Sequence, residues 1–149
     1  MMMMKIAAVF VMGTAVGIMY RIPRSLLFYG ALNATLAWLV MVLLAGAGTD
    51  AVAANFFGGV ALGAAAEALA RRLRRPATMF VIPGFFPLVP GREAYTTMRY
   101  VVEGRYGPAT EMAAQTLLTA GAIAFGIFVS VTVYRLALAG GLWKGADRC

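Results

Sequence analysis

The sequence predicts an all-α, polytopic integral membrane bundle of about five membrane segments, one of them a discontinuous helix broken by proline and glycine. Three observations carry this. Of the 149 residues 62% are hydrophobic and only 13% charged, where an ordinary soluble domain has roughly half and a quarter. The apolar residues fall in long runs: Ser25 to Thr49 holds 25 residues without a charge and Met112 to Tyr134 another 23, each enough to span a bilayer. The thirteen cations gather at the ends of those runs, so the net charge of +7 reads as topological and gives no nucleic-acid surface. Residues 1–149 form one transmembrane domain, with too little chain left over for a separate soluble module.

The first segment, about 5–20, follows Lys5 and has the look of a signal-peptide core. Arg21 and Arg24 place the charge after the run and no small-x-small cleavage site follows, so it is expected to stay as a helix. The second, 25–46, starts beyond Pro23 and closes in Gly46, Gly48, Thr49 and Asp50, all turn formers. The third, 51–70, contains Gly58, Gly59 and Gly63 and runs into Arg71, Arg72, Arg74 and Arg75, a cluster that marks a cytoplasmic end. The fourth, 77–91, is the broken one. An amphipathic interfacial stretch over 92–111 follows, with Tyr95, Met98 and Val102 at helical spacing. The last span is 112–134, followed by Arg135, Lys144 and Arg148 in a Gly-rich tail.

Positive charge sets the orientation. The loops at Arg21/Arg24 and Arg71 to Arg75 are placed in the cytoplasm, two crossings apart, so the Asp50 turn lies outside. If the broken segment crosses, Arg135, Lys144 and Arg148 return to the cytoplasm; if it is re-entrant, they lie outside. The cations favour crossing, although the 16 residues from Pro76 to Gly91 would reach only about 24 Å as an α-helix, short of the roughly 30 Å core. Unwound prolyl backbone rises faster and closes part of that gap.

Chemistry is expected first in Ile82-Pro83-Gly84-Phe85-Phe86-Pro87-Leu88-Val89-Pro90-Gly91. Each proline removes a donor and frees carbonyls that a lipid-facing helix cannot leave unpaired, so this backbone must face protein or a hydrated cavity. Discontinuous helices of this kind build solute and ion sites in secondary transporters. Pro83, Gly84, Pro87, Pro90 and Gly91 are accordingly the candidate substrate pathway, together with Asn33, a mid-membrane amide that needs a partner or water. Glu67 is the candidate ion-coupling residue; the plainer alternative pairs it with Arg71 one helical turn on. Asn55 is expected to bond a neighbouring helix, and Gln115, Thr116 and Thr119 either do the same or line a pathway. Gly13-x-x-x-Gly17 and Gly59-x-x-x-Gly63 fit close helix packing.

Pro76-Ala77-Thr78, Phe80-Val81-Ile82-Pro83-Gly84 and Pro87-Leu88-Val89-Pro90-Gly91, followed by Tyr95 and Met98, resemble the signature of the threonine/serine exporter (ThrE) family, specifically its small YjjB-like membrane subunit. The likeness extends to Pro23-Arg24, Leu27-Phe28-Tyr29-Gly30, the Glu67 to Arg75 stretch and the closing helix. It implies a multi-pass protein of the bacterial inner (plasma) membrane that partners a larger membrane subunit of the same family. It further implies export of threonine or serine, or of a dicarboxylate such as succinate in the split form. Phe85-Phe86, where aliphatic residues are common, and Arg92-Glu93 depart from that pattern and bear on the substrate.

With no His and one terminal cysteine, Cys149, the sequence offers no nucleophile–base pair and no metal-ligand cluster, so no enzyme, catalytic residue, metal or cofactor is expected. No phosphate-binding loop is present, so ATP is not used by this chain. Lipid is the expected surroundings, and self-association into a homo-oligomer is compatible with the small-residue faces. The remaining alternative function is a structural subunit that stabilises a transporter while contacting no substrate.

Overall fold

The computed structural model describes the backbone of residues 2–146 and the side chains of 2–137. Among these the chain is helical throughout, without strands. Helices α1 (Met2–Met19), α2 (Arg24–Gly46) and α3 (Ala51–Leu73) lead to a short α4 (Thr78–Phe85), which passes into a 3-10 turn at Phe86–Leu88. Helix α5 (Gly91–Val102) and the long α6 (Tyr106–Ala146) complete the fold. Four helices, α1, α2, α3 and α6, are long and apolar enough to cross a membrane.

The breaks between helices follow local chemistry. Gly48 turns with φ +88° after α2, and the Asp50 carboxylate then caps α3 by accepting from the Val52 N–H at 3.1 Å. At the far end of α3 the Arg75 N–H closes onto the Ala70 carbonyl at 2.9 Å, with Arg74 left-handed at φ 51°. Arg71 and Arg72 in that last turn suit the negative end of the helix dipole.

Inside the bundle the residues are small. Ala31, Ala34, Ala37, Ala54 and Ala66 are fully buried, and few large side chains join them. Large apolar groups such as Phe28, Leu36, Phe57, Leu118, Phe125 and Phe128 are instead exposed on the outside. That inversion of a soluble fold fits helices whose backbones approach closely while their outer faces meet hydrocarbon.

Helix α3 packs most extensively on α6, and the register shows their relative direction. A Cβ on Gly59 would lie 2.6 Å from the Ile123 carbonyl oxygen, Gly63 faces Ile127 and Ser130, and Glu67 meets Arg135. Numbers rise together, so α3 and α6 run parallel, and the chain between them must return to the starting end of the bundle. The Thr78–Leu88 segment makes that return. Phe80 packs with Leu26, Ala66 and Ala70 near the arginine-rich end, whereas Leu88 packs with Ala37 and Leu62 farther along. Eight α-helical residues, a three-residue 3-10 turn and extended Val89 reach about 21 Å before the chain turns tightly at Pro90.

Two boundaries differ from the sequence reading. The stretch 92–111 is not one amphipathic helix: α5 ends at Val102, Gly104 turns with φ +72°, and α6 starts at Tyr106. Consequently the last segment is longer than 112–134, because Met112 lies inside a helix that runs from Tyr106 to Ala146. The Gly104-Arg105 corner has no signal as strong as the polar run around it. Likewise Pro83 does not interrupt α4, and the regular helix is lost only at Phe86, with extended backbone at Val89.

Candidate functional site

The broken segment is held by α2 and α3. Pro83 has no N–H, so the Met79 carbonyl loses its helical donor, and the neighbouring Phe80 carbonyl is met instead by a side chain. Asn33, 2% exposed, donates from Nδ2 to the Phe80 carbonyl at 3.2 Å and the Leu62 carbonyl at 3.4 Å, joining α2, α3 and α4. Two carbonyl acceptors fix which end of the amide is nitrogen. Asn33 Oδ1 is left as the single buried side-chain polar atom without a partner among the described residues.

Glycines let these backbones meet. A Cβ on Gly30 would stand 2.9 Å from Pro83 Cγ, and one on Gly84 would collide with the Leu62 side chain, 3.6 Å from Asn33 Nδ2. Three of the candidates, Asn33, Pro83 and Gly84, therefore come together. Pro87 and Pro90 lie farther along at a separate cavity, while Gly91 borders open space.

That cavity, about 230 Å³, sits at the Asp50 end of the bundle between the proline turn, α2, α3, α5 and α6. Asn55, Glu93, Gln115 and Thr119 supply its polar side chains, and the Pro87–Pro90 turn one wall. The Asn55 amide donates to the Ala51 carbonyl of its own helix at 2.9 Å, not to a neighbouring helix as expected from the sequence, and its Oδ1 has no partner among the described residues. Glu93 occupies the first turn of α5, where the helix N-terminus favours negative charge, and it has no ion-pair partner among the described residues. A larger groove of about 520 Å³ runs along α6 from Ala124 to Leu136, but its walls are chiefly apolar and suit acyl chains.

Glu67 belongs to neither place. It is 4% exposed on the α6 side of α3, and Arg135 reaches it with Nε and Nη2, both at 2.7 Å from Oε1. The alternative pairing with Arg71 is not formed; the Arg71 guanidinium lies over the Tyr134 ring, 5.6 Å from its centroid. Sequence reading missed Arg135 as the partner: 68 residues separate the two, and only the parallel packing of α3 on α6 brings them together. Glu93 was noted only as a departure from the family pattern; its place opposite Thr119 depends on how α5 folds back along α6. On the exposed face of α5 Glu103 binds Arg99 at 2.7 Å, and that hydrogen bond holds the Arg99 guanidinium pKa above its ordinary value.

Four long apolar helices, a proline-broken return segment and buried polar groups at helix contacts define a multi-pass helical membrane protein of transporter type. The family profile described as "Threonine/Serine exporter, ThrE" matches residues 5–133, and the chain belongs to that family, a family of transporters. No curated protein and no solved structure matches the chain.

Proposed function

We propose that this chain is the smaller membrane subunit of a two-component secondary exporter in the bacterial inner membrane, working with a larger membrane subunit of the same family. The cargo is a small polar metabolite, threonine or serine, with succinate as the dicarboxylate alternative. The observation that carries the reading is the Thr78–Leu88 return: a non-regular segment traverses the bundle and ends at a polar cavity. Membership of the exporter family supports the transported class. The chain itself performs no covalent chemistry in this account.

An ion gradient drives export, and Glu67 is the coupling group. Protonating it would dissolve its ion pair with Arg135 and loosen α3 from α6 at the arginine-rich end. A Glu67→Gln subunit that expresses normally then loses proton-coupled export; unchanged transport contradicts the coupling role. Asn33 spends both its amide hydrogens on packing, which favours a second reading in which the chain only supports its partner. Efflux of labelled threonine, serine and succinate, with each subunit omitted in turn, tests the two-component exporter, and cysteine accessibility across Pro83 to Gly91 separates a hydrated pathway from a purely supporting interface. Transport that needs both subunits supports the exporter; transport by the large subunit alone at normal rate overturns it.

A further inference from the structure

We propose that the cavity beside the Pro87–Pro90 turn is a binding site for a small zwitterionic amino acid, whose ammonium group is received by Glu93. This inference rests on the exporter reading above and assigns the solute to particular atoms. The cavity's about 230 Å³ is below the range for drug-sized ligands and suits a smaller solute. Its only ionisable lining group among the described residues is the Glu93 carboxylate, which attracts an ammonium and repels a dicarboxylate.

The second observation is Thr119. Its residue is 5% exposed, yet its hydroxyl has no hydrogen-bond partner among the described residues and is not sealed off as a closed buried atom. Thr14, Thr35, Thr116 and Ser130 on the long helices each donate back to their own helix. Thr119 and Thr132 do not; Thr119 is the one that lines this cavity. Opening onto the cavity without a protein partner, that hydroxyl is free to meet a polar solute. With the Gln115 amide four residues earlier on α6, it offers donors to the solute's carboxylate or hydroxyl oxygens, opposite the acceptor Glu93.

The Pro87–Pro90 turn adds acceptors. Pro90 has no N–H and the Gly91 N–H is taken by the Val89 carbonyl at 2.8 Å, so the Pro87 carbonyl lacks both its usual helical donors. Pro87 lines the cavity, and in the proposed complex its carbonyl accepts an ammonium hydrogen.

The test uses the full chain, co-expressed with the larger family protein of its own genome, with Cys149→Ser removing the only native cysteine. Val89→Cys places a thiol on the cavity wall, and permeabilised membranes remove any question of sidedness. Threonine should slow maleimide labelling at this position while succinate at equal concentration does not. Glu93→Gln should weaken the protecting threonine concentration roughly ten- to a hundredfold, the contribution of one charge-assisted hydrogen bond. Thr119→Val should weaken it less, and Arg92→Gln, outside the cavity, should leave it unchanged. Absence of threonine protection, equal protection by succinate, or full protection in Glu93→Gln overturns the site. So does a Val89→Cys that resists the reagent while the more exposed Val102→Cys reacts. Labelled-threonine efflux measured on the same cells separates the two ideas. Protection without efflux upholds the site and rejects the transport reading, and efflux without protection does the reverse.

Discussion

At the residue scale, two buried polar side chains are held by different means. Glu67 is an acid almost wholly out of solvent, yet its partner Arg135 keeps a side chain 63% exposed. Removing the cation strands the carboxylate, so Arg135→Ala is expected to cost about 1–3 kcal/mol, between the limits for exposed and fully buried pairs. Adding Glu67→Gln should recover most of it, because a neutral amide tolerates the site better. Thermal unfolding of the purified protein in detergent checks both. Asn33→Leu removes the donor that meets the Phe80 and Leu62 carbonyls, and a loss of about 1–3 kcal/mol is expected by the same assay. Asn33 was recognisable in the sequence as an amide needing a partner. Its partners were not, because the Phe80 and Leu62 carbonyls come within its reach only when α2, α3 and α4 pack together.

At the element scale, the contact between α3 and α6 depends on glycine. Gly59 and Gly126 bring one backbone against the other, Gly59 onto Ile123 and Gly126 onto Phe56. Overpacking there moves backbone, so Gly59→Ala should destabilise by about 1–3 kcal/mol. Gly121, on the same α6, has nothing within 4 Å of an added Cβ, and Gly121→Ala should stabilise by about 0.5–1 kcal/mol through helix propensity. One substitution thus takes opposite signs on the two helices of one contact, readable in the melting temperatures. The Gly59-x-x-x-Gly63 spacing announced a close helix contact but could not name α6 as the neighbour. Helix ends were legible where Gly48, Asp50 and the arginine cluster marked them. The α5–α6 corner was not, since Gly104 stands alone in a polar run.

At the scale of the whole molecule, small buried residues and large outward ones give a bundle built for hydrocarbon surroundings, as composition and run length foretold. The sequence left the path of the Pro/Gly segment open between crossing and re-entry, since 16 residues are too few for an ordinary span. The parallel course of α3 and α6 resolves the geometry in favour of a return across the bundle, because Glu67 could not otherwise meet Arg135. Lys144 and Arg148, which entered the charge count for orientation, lie outside the residues whose side chains are described.

The proposed pathway depends on that crossing, and sidedness tests it. Single cysteines placed by Arg75→Cys and Gly91→Cys, each in a Cys149→Ser background, would be exposed to a membrane-impermeant thiol reagent in intact cells and in inverted vesicles. Labelling of the two from opposite sides is the predicted result. Labelling of both from the same side would make the segment re-entrant and contradict the pathway built on it.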